Sequence, residues 1–307
     1  MVSRHHLGYA VIALMVVSLG CAALLGFESS FLSKNVVIAT TQRAEAASMA
    51  MFDMEELMMP ELIEQIENET DDPLSPVHVH MLWIGDLNHA PYERHLYTDF
   101  GYKLTVHTDP EEILKGFHPH VLKAYKLAIP AVVGYDFLKF AMVYKYGGLS
   151  VDADTSPSIP ASALHYPSDC DVVFGKEAQL SRWDRPVYRQ VGSNTYGLNR
   201  PFQILNWAMA ARKPRNPHIK WLMRTAMMHF FGLRDMELSL IQDISGSGLM
   251  SDYVALLHEQ EGRSYPEVYR DESKYYPVQG LCLTDGYLHG KWIRHAFHGS
   301  WKPHRVV

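Results

Sequence analysis

Two aspartates one residue apart, Asp152 and Asp154, are the residues whose types and spacing point most directly to chemistry. Side chains at positions i and i+2 of an extended strand point to the same side, so both carboxylates can face one point. Two carboxylates this close repel each other unless a cation lies between them. Oxygen ligands favour Mg²⁺ or Mn²⁺, with coordination positions left open for phosphate oxygens. The pair therefore predicts a divalent metal site.

The residues before this pair predict the elements that position it. An apolar helix over 131–146 runs into Gly147 and Gly148, and a short apolar strand then ends at Asp152. The helix is apolar nearly all round, which is typical of a buried helix. We expect the glycines to form the turn between the helix and the strand.

Two charged residues stand inside this apolar helix. Asp136 and Lys139 are its only charged residues before Lys145, and at i and i+3 they share one face. A buried charge is costly unless it is paired or faces a polar site. Two arrangements are therefore open: an ion pair at the helix edge, or two side chains that face a pocket beside Asp152.

The order of elements along the chain indicates an α/β domain with a mostly parallel sheet. A buried strand at 77–85 is followed by a second strand at 102–107 and by a helix that begins at Asp109-Pro110. Further elements predicted from the pattern are strands at 171–175, 275–278 and 292–297, and helices at 202–211, 218–231 and 246–257.

Composition and the N-terminal segment bear on partners and location. The chain has 307 residues, 47% hydrophobic content and a net charge of −6, with no long basic stripe, so nucleic acid is not an expected partner. Residues 7–27 are uncharged and mostly apolar, which is close to the roughly 20 residues that span a bilayer. Arg4 precedes them and indicates a cytosolic N-terminus. A cleaved signal peptide is the alternative.

These features predict four regions: a cytosolic tail (1–6), a transmembrane signal-anchor (7–27), a stem (28–75) and a catalytic domain (76–307). The acidic, helix-forming stem is a spacer or a region through which the chain could oligomerise. Asn68-Glu69-Thr70 is a glycosylation sequon, as expected of a lumenal segment. Cys170 and Cys282 could form a disulfide there or remain two buried thiols.

Taken together, these residues resemble the Asp-x-Asp sugar transferases of glycosyltransferase family 32, which include yeast initiating α-1,6-mannosyltransferase and animal α-1,4-galactosyl- and N-acetylglucosaminyltransferases. The similarity spans about residues 77–301. The segments that carry it are Trp83-Ile84-Gly85, Asp136-x-x-Lys139, Tyr146 to Asp154, Asn206 to Ala211, Asn216-Pro217-His218, Gly246-Ser247-Gly248 and His298-Gly299-Ser300-Trp301. This chain has Tyr135, Lys139 and Ser150 where the family usually has Ser, Arg and Tyr, and lysine lacks the bidentate fork of arginine.

The resemblance implies a GT-A fold, in which a Rossmann-like, mostly parallel sheet flanked by helices binds a nucleotide-sugar at the carboxyl ends of its strands. Trp83, with Ile84, would stack on the nucleobase. Asp136 and Lys139 would contact the donor sugar and phosphates.

The resemblance also assigns the metal site and a lid. Asp152 would reach the ribose and the metal, next to Gly148 in the donor-binding segment, and Asp154 would ligate the metal directly. His298 and the Ser300-Trp301 pair would close over the diphosphate, with His298 as a further metal ligand.

The implied activity is retaining transfer of a hexose (mannose, galactose, glucose or N-acetylglucosamine) from a UDP- or GDP-sugar to a glycan, glycoprotein or glycolipid, with Mn²⁺ or Mg²⁺. The expected location is the Golgi or another secretory membrane, in type II orientation. A sphingolipid mannosyltransferase and a catalytically inactive nucleotide-sugar-binding subunit are alternatives. Asp152-Ala153-Asp154-Thr155 also fits the Asp-x-Asp-x-Thr segment of a phosphatase class.

Overall fold

The computed structural model describes residues 62, 78–90, 93–129, 131–166, 168–179, 202–232, 241–263, 276–284 and 291–296. All of them belong to the compact unit Met49–Val307. No helix within these ranges is both long enough and apolar enough to cross a membrane. The predicted tail (1–6) and anchor (7–27) lie outside the described residues.

The described helices are α1 (Arg94–Asp99), α2 (Pro110–Leu114), α3 (Pro119–Leu127), α4 (Ala131–Tyr146), α5 (Pro217–Phe230), α6 (Ile241–Ser245) and α7 (Ser247–Gln260). The described strands are β1 (His78–Leu82), β2 (Lys103–His107), β3 (Gly148–Val151), β4 (Thr155–Pro157), β5 (Val172–Gln179), β6 (Phe202–Ala211), β7 (Tyr276–Val278), β8 (Leu281–Thr284) and β9 (Ile293–His295). Most predicted elements are thus confirmed within a few residues.

The central sheet has the strand order β2-β1-β3-β6-β5-β8-β7. β1 is parallel to β2 and β3, and β5 is parallel to β8. β6 is antiparallel to both of its neighbours, and β7 is antiparallel to β8. Five of the seven strands therefore run in one direction, which confirms a mostly parallel sheet and is consistent with the predicted GT-A fold. β4 and β9 form a separate antiparallel pair.

The sheet has a hydrophobic cluster on each face because its strands are buried on both sides. In β5, Val172 and Phe174 belong to one cluster, while Val173 between them belongs to the other. The first cluster contains most of α4 and the apolar faces of α5 and α7. Leu62, from the predicted stem, is buried in this cluster, and its carbonyl accepts a hydrogen bond from the His118 amide at 2.9 Å.

One predicted element is wrong: residues 202–211 form strand β6, not a helix. Periodicity alone cannot distinguish a continuous apolar run in a helix from one in a fully buried strand. Nine of the ten residues of β6 are buried, since the strand lies between β3 and β5 in the sheet. Tertiary burial thus outweighs the helix propensity of its alanine, leucine and methionine residues.

Cys170 and Cys282 form a disulfide, which decides between the two states that the sequence left open. Their Cα atoms are 5.4 Å apart. Cys282 lies in β8 and is paired with Val173 of the neighbouring strand β5, so the bridge joins two adjacent parts of the sheet. It closes a sequence separation of 112 residues, over which the chain contributes strands β5, β6 and β7 and helices α5 to α7.

Candidate functional site

The turn before β3 depends on two glycines. Gly147 and Gly148 have φ angles of 66° and 73°, in the left-handed region that glycine adopts without strain. A Cβ on Gly148 would lie 2.7 Å from the backbone oxygen of His78 in β1. Gly148, predicted as part of the donor-binding segment, is therefore required for β3 to start close beside β1.

A break in the pairing of β6 positions Asp152 at the end of β3. Between the pairs Phe174–Met209 and Lys176–Ile204, one residue of β5 stands opposite four residues of β6. The extra residues form a bulge, a feature that is common next to active sites. Within it, the Trp207 carbonyl accepts a hydrogen bond from the Asp152 amide at 2.8 Å. The bulge therefore fixes the backbone from which Asp152 and Asp154 project.

Lys139 forms ion pairs with Asp136 of its own helix and with Asp152 of the acid pair. Its ammonium group lies 2.9 Å from Asp136 Oδ1 and 2.6 Å from Asp152 Oδ1, and it donates to the Asn206 carbonyl at 3.3 Å. Lys139 and Asp136 are both buried. The two arrangements that the sequence left open therefore occur together, because the ion pair of α4 also faces Asp152.

Charge pairing outweighs burial at Lys139 and Asp152, whereas at Asp136 burial prevails and raises the pKa of the carboxyl. Burial acts to lower the pKa of Lys139, but the charges of Asp136 and Asp152 outweigh it and raise that pKa above its usual value. Burial acts to raise the pKa of Asp152, but Lys139 and His295 lower it below its usual range. Asp152 is therefore an anion at neutral pH, as a metal ligand must be.

His295 is the histidine that the structure places beside the acid pair. Its Nε2 atom lies 3.8 Å from Asp152 Oδ2 and 3.3 Å from Asp154 Oδ1. The pairing of β4 with β9 brings it there, since Thr155, the residue after Asp154, is opposite His295 in that pair. The Ala296 amide donates to the Asp154 carbonyl at 2.8 Å, and the His295 ring packs 4.9 Å from the Trp207 ring.

The three side chains fit a divalent cation. Asp152, Asp154 and His295 each offer one ligand atom, and these atoms lie within 4.8 Å of one another. Octahedral Mg²⁺ has ligands at about 2.1 Å, which places neighbouring ligand atoms about 3 Å apart. The His295 Nε2 atom lies 3.3 Å from Asp154 Oδ1 and 3.8 Å from Asp152 Oδ2, close to this spacing. Lys139 occupies Asp152 Oδ1 and leaves Oδ2 directed at the group.

Residues predicted to bind the donor follow the neighbouring strand. Trp83 and Ile84 come directly after β1, at the same edge of the sheet as Asp152 after β3. Trp83 is half-buried, lies in neither hydrophobic cluster of the described residues, and donates from Nε1 to the Asp86 carbonyl at 2.9 Å. The structure thus places the predicted nucleobase-binding residue and the acid pair side by side.

The predicted lid residues His298, Ser300 and Trp301 lie outside the described residues, and their roles stay predictions. Sequence reasoning missed His295, three residues before His298. The chain has 17 histidines, and only the β4–β9 pairing distinguishes this one from the others. The usable signal was its place in a predicted strand at 292–297.

The Thr155 side chain has a structural role, because its hydroxyl forms hydrogen bonds within the protein. Its Oγ1 donates to the Asp152 carbonyl at 2.6 Å and is 2.8 Å from the hydroxyl of Tyr97, which is fully buried. The hydroxyl is thus engaged in the turn behind the acid pair.

The glycine turn that opens α7 packs against the network from the other side. A Cβ on Gly246 would lie 3.2 Å from Asp136 Oδ2, which is tighter than an ordinary contact. The Gly246-Ser247-Gly248 turn therefore packs directly against the Asp136 carboxyl group.

Comparisons with known proteins add little to this geometry. No family model matches the chain, and no curated protein matches it. Among solved structures, the chain is similar to a PaToxG glycosyltransferase at a TM-score of 0.40 and 13% sequence identity, over 72% of this chain and 83% of that one. A likeness at this level does not establish a shared function, so the function must be argued from the site.

Proposed function

We propose that the protein is a metal-dependent glycosyltransferase that moves a hexose from a nucleotide-diphosphate sugar to a hydroxyl of a glycan, glycoprotein or glycolipid. The observation that supports this most is the convergence of Asp152, Asp154 and His295 on one point, with Lys139 beside them. The point lies at the carboxyl end of β3, next to the antiparallel strand β6. Ligands of open α/β sheets bind outside the carboxyl ends of the strands.

In this proposal, Asp152, Asp154 and His295 hold Mn²⁺ or Mg²⁺, and the imidazole ligand favours Mn²⁺ over Mg²⁺. A bound divalent ion supplies Lewis-acid stabilisation for the negative charge that develops on the diphosphate leaving group. Lys139 orients Asp152, and Trp83 would stack on the nucleobase. We keep the retaining outcome as part of the proposal, with the acceptor hydroxyl attacking from the face that the diphosphate leaves.

The proposed compartment is the lumen of the Golgi or another secretory organelle, with residues 7–27 as the membrane anchor. The disulfide between Cys170 and Cys282 supports an oxidising environment, because disulfides are rare in the cytosol. The sequon at Asn68 agrees with lumenal exposure.

The test is a donor screen with the full-length protein. UDP-galactose, UDP-glucose, UDP-N-acetylglucosamine and GDP-mannose are each incubated with Mn²⁺, and release of the nucleoside diphosphate is measured. We expect hydrolysis of one donor that stops with EDTA. Asp154→Asn should lower the rate about 10²- to 10³-fold, in the range seen when a group that stabilises the transition state is lost.

The matched control is Asp99→Asn, which removes an exposed carboxylate at the end of α1 and should leave the rate unchanged. Failure of the wild-type protein to turn over any donor would overturn the proposed enzyme and leave a binding subunit. Release of phosphate from a phosphomonoester such as p-nitrophenyl phosphate, lost in Asp152→Asn, would point to the phosphatase instead.

A further inference from the structure

A fourth carboxylate belongs to the same edge of the sheet but not to the group of metal ligands. Glu177 lies in β5, two strands from β3 across β6. Strands that are two positions apart in a sheet are about 10 Å apart. At this edge, Asp152, Asp154 and His295 form a group that could ligate a metal, and among the described residues Glu177 does not join it.

The backbone at Glu177 is irregular. Between the pairs Lys176–Ile204 and Ala178–Gln203, Glu177 is an extra residue on β5 with no counterpart on β6. It directly follows the larger bulge of β6 that holds Asn206 and Trp207. A bulge redirects the side chain of its extra residue, and two consecutive irregularities are confined to the part of β5–β6 that flanks the acid pair.

One of the two carboxylate oxygens of Glu177 accepts a hydrogen bond from a described residue. Gln203, which is 1% exposed, donates from Nε2 to Glu177 Oε2. The described residues give Oε1 no hydrogen-bond donor, and Glu177 is partly exposed. Burial raises the pKa of its carboxyl above the usual value, against the hydrogen bond from Gln203 and the charge of His295, while the charge of Asp152 acts in the same direction as burial. One carboxylate oxygen is thus fixed by a buried amide, and the other, which has no donor among the described residues, lies within range of the charges of Asp152 and His295.

Sugars are recognised through their hydroxyl groups, and a fixed carboxylate oxygen is a strong acceptor for them. We propose that Glu177 is a substrate-binding residue of the transfer site, whose Oε1 accepts a hydrogen bond from a hydroxyl of a hexose. The hexose is either that of the donor or that of the acceptor. This inference rests on the proposed function. It adds a residue that binds the sugar, whereas Asp152, Asp154 and His295 would bind the cation.

Glu177→Gln tests this inference in the full-length protein because it keeps the shape of the side chain and removes its charge. Its matched control is Glu259→Gln, the same change at an exposed position of α7. Loss of a hydrogen bond to a charged group costs roughly 10- to 100-fold in binding. We expect Glu177→Gln to keep the thermal unfolding midpoint and Mn²⁺ binding of the wild type.

Two measurements distinguish whether the bound hexose belongs to the donor or to the acceptor. Calorimetric titration with the nucleotide-sugar and with the plain nucleoside diphosphate, both with Mn²⁺, tests the donor: Glu177→Gln should lose roughly 10- to 100-fold affinity for the first and none for the second. If the acceptor is the partner, donor affinity and hydrolysis are kept, and the KM for transfer to methyl α-mannoside or lactose rises instead.

Either outcome supports the inference, and they differ only in which hexose is bound. Wild-type values for donor affinity, hydrolysis and transfer in Glu177→Gln would overturn the inference alone and leave the proposed function standing. A wild-type protein that binds no nucleoside diphosphate would overturn both.

Discussion

Two regions of the sheet hold ionisable side chains at buried or half-buried positions. The neighbouring groups favour charged forms in one region and neutral forms in the other. At the carboxyl end of β3, Lys139 lies between Asp136 and Asp152, and all three are paired. On β1 and β2, His80 Nδ1 lies 3.0 Å from His107 Nε2, and both rings stack on Tyr146. The first region favours the charged forms of Lys139 and Asp152, whereas the second favours the neutral forms of its histidines.

The difference lies in the neighbours rather than in burial. Burial lowers the pKa of His80 well below its usual value, and the nearby charges of His78, His107 and Lys103 lower it further. The histidine cluster of His78, His80 and His107 thus has positive neighbours that oppose protonation, while Lys139 has two carboxylates. Among the described residues, the three histidines form no group that could hold a metal. Burial of titratable groups is therefore not enough to mark a site.

The largest effect expected from this comparison follows from removing Lys139. Lys139→Met leaves the buried Asp136 and the half-buried Asp152 without their cation, and breaking a buried pair in this way typically destabilises a protein by about 3–5 kcal/mol. Urea unfolding of the full-length protein measures this change in the free energy of unfolding. The matched control is Lys126→Met, which breaks the exposed pair of Lys126 with Glu111 (3.7 Å) and should cost less than about 1 kcal/mol. Equal effects of the two variants would show that the buried network is not held by Lys139.

A smaller change in stability, which depends on pH, is expected at the histidine cluster. The pKa of His107 is lowered to about 4, by burial first and then by the charges of His78 and Lys145, against an ordinary value of 6.5. The unfolded chain therefore binds more protons than the folded one between about pH 6.5 and 4. The stability that His107 contributes is present above pH 6.5 and is lost as the pH falls through this window.

His107→Gln removes this titration. Between pH 7 and pH 5, the wild type should lose about 1–2 kcal/mol more stability than the variant, allowing for partial exposure of the ring. Urea unfolding at both pH values measures it, and carboxylates common to the two proteins cancel in the difference. An identical loss in wild type and variant would mean that the His107 ring is already solvated in the folded protein.

The sequence was enough to predict the parts of the site that are local in the chain. The helix 131–146, the glycine turn and the acid pair follow one another directly, so their periodicity and spacing determine their arrangement. The shared face of Asp136 and Lys139 was predicted for the same reason, since they stand at i and i+3 of one helix.

The parts that could not be predicted depend on pairing between distant segments. The run at 202–211 suits a helix or a buried strand equally well until β3 and β5 enclose it. His295 reaches the acids only through the pairing of β9 with β4, and Glu177 stands out only through the irregular register of β5 with β6. Local composition determines neither how many residues a bulge contains nor which strand a short strand pairs with.

The most direct test of the central claim is Mn²⁺ binding by the full-length protein, followed by electron paramagnetic resonance. The proposal predicts one bound ion per chain in the wild type and a loss of affinity of at least about 10-fold in His295→Ala, because a ligand is removed outright. The paired change is His120→Ala, at a half-buried histidine of α3, which should keep wild-type affinity. No Mn²⁺ binding by the wild type, or wild-type affinity in His295→Ala, would contradict the proposed metal site.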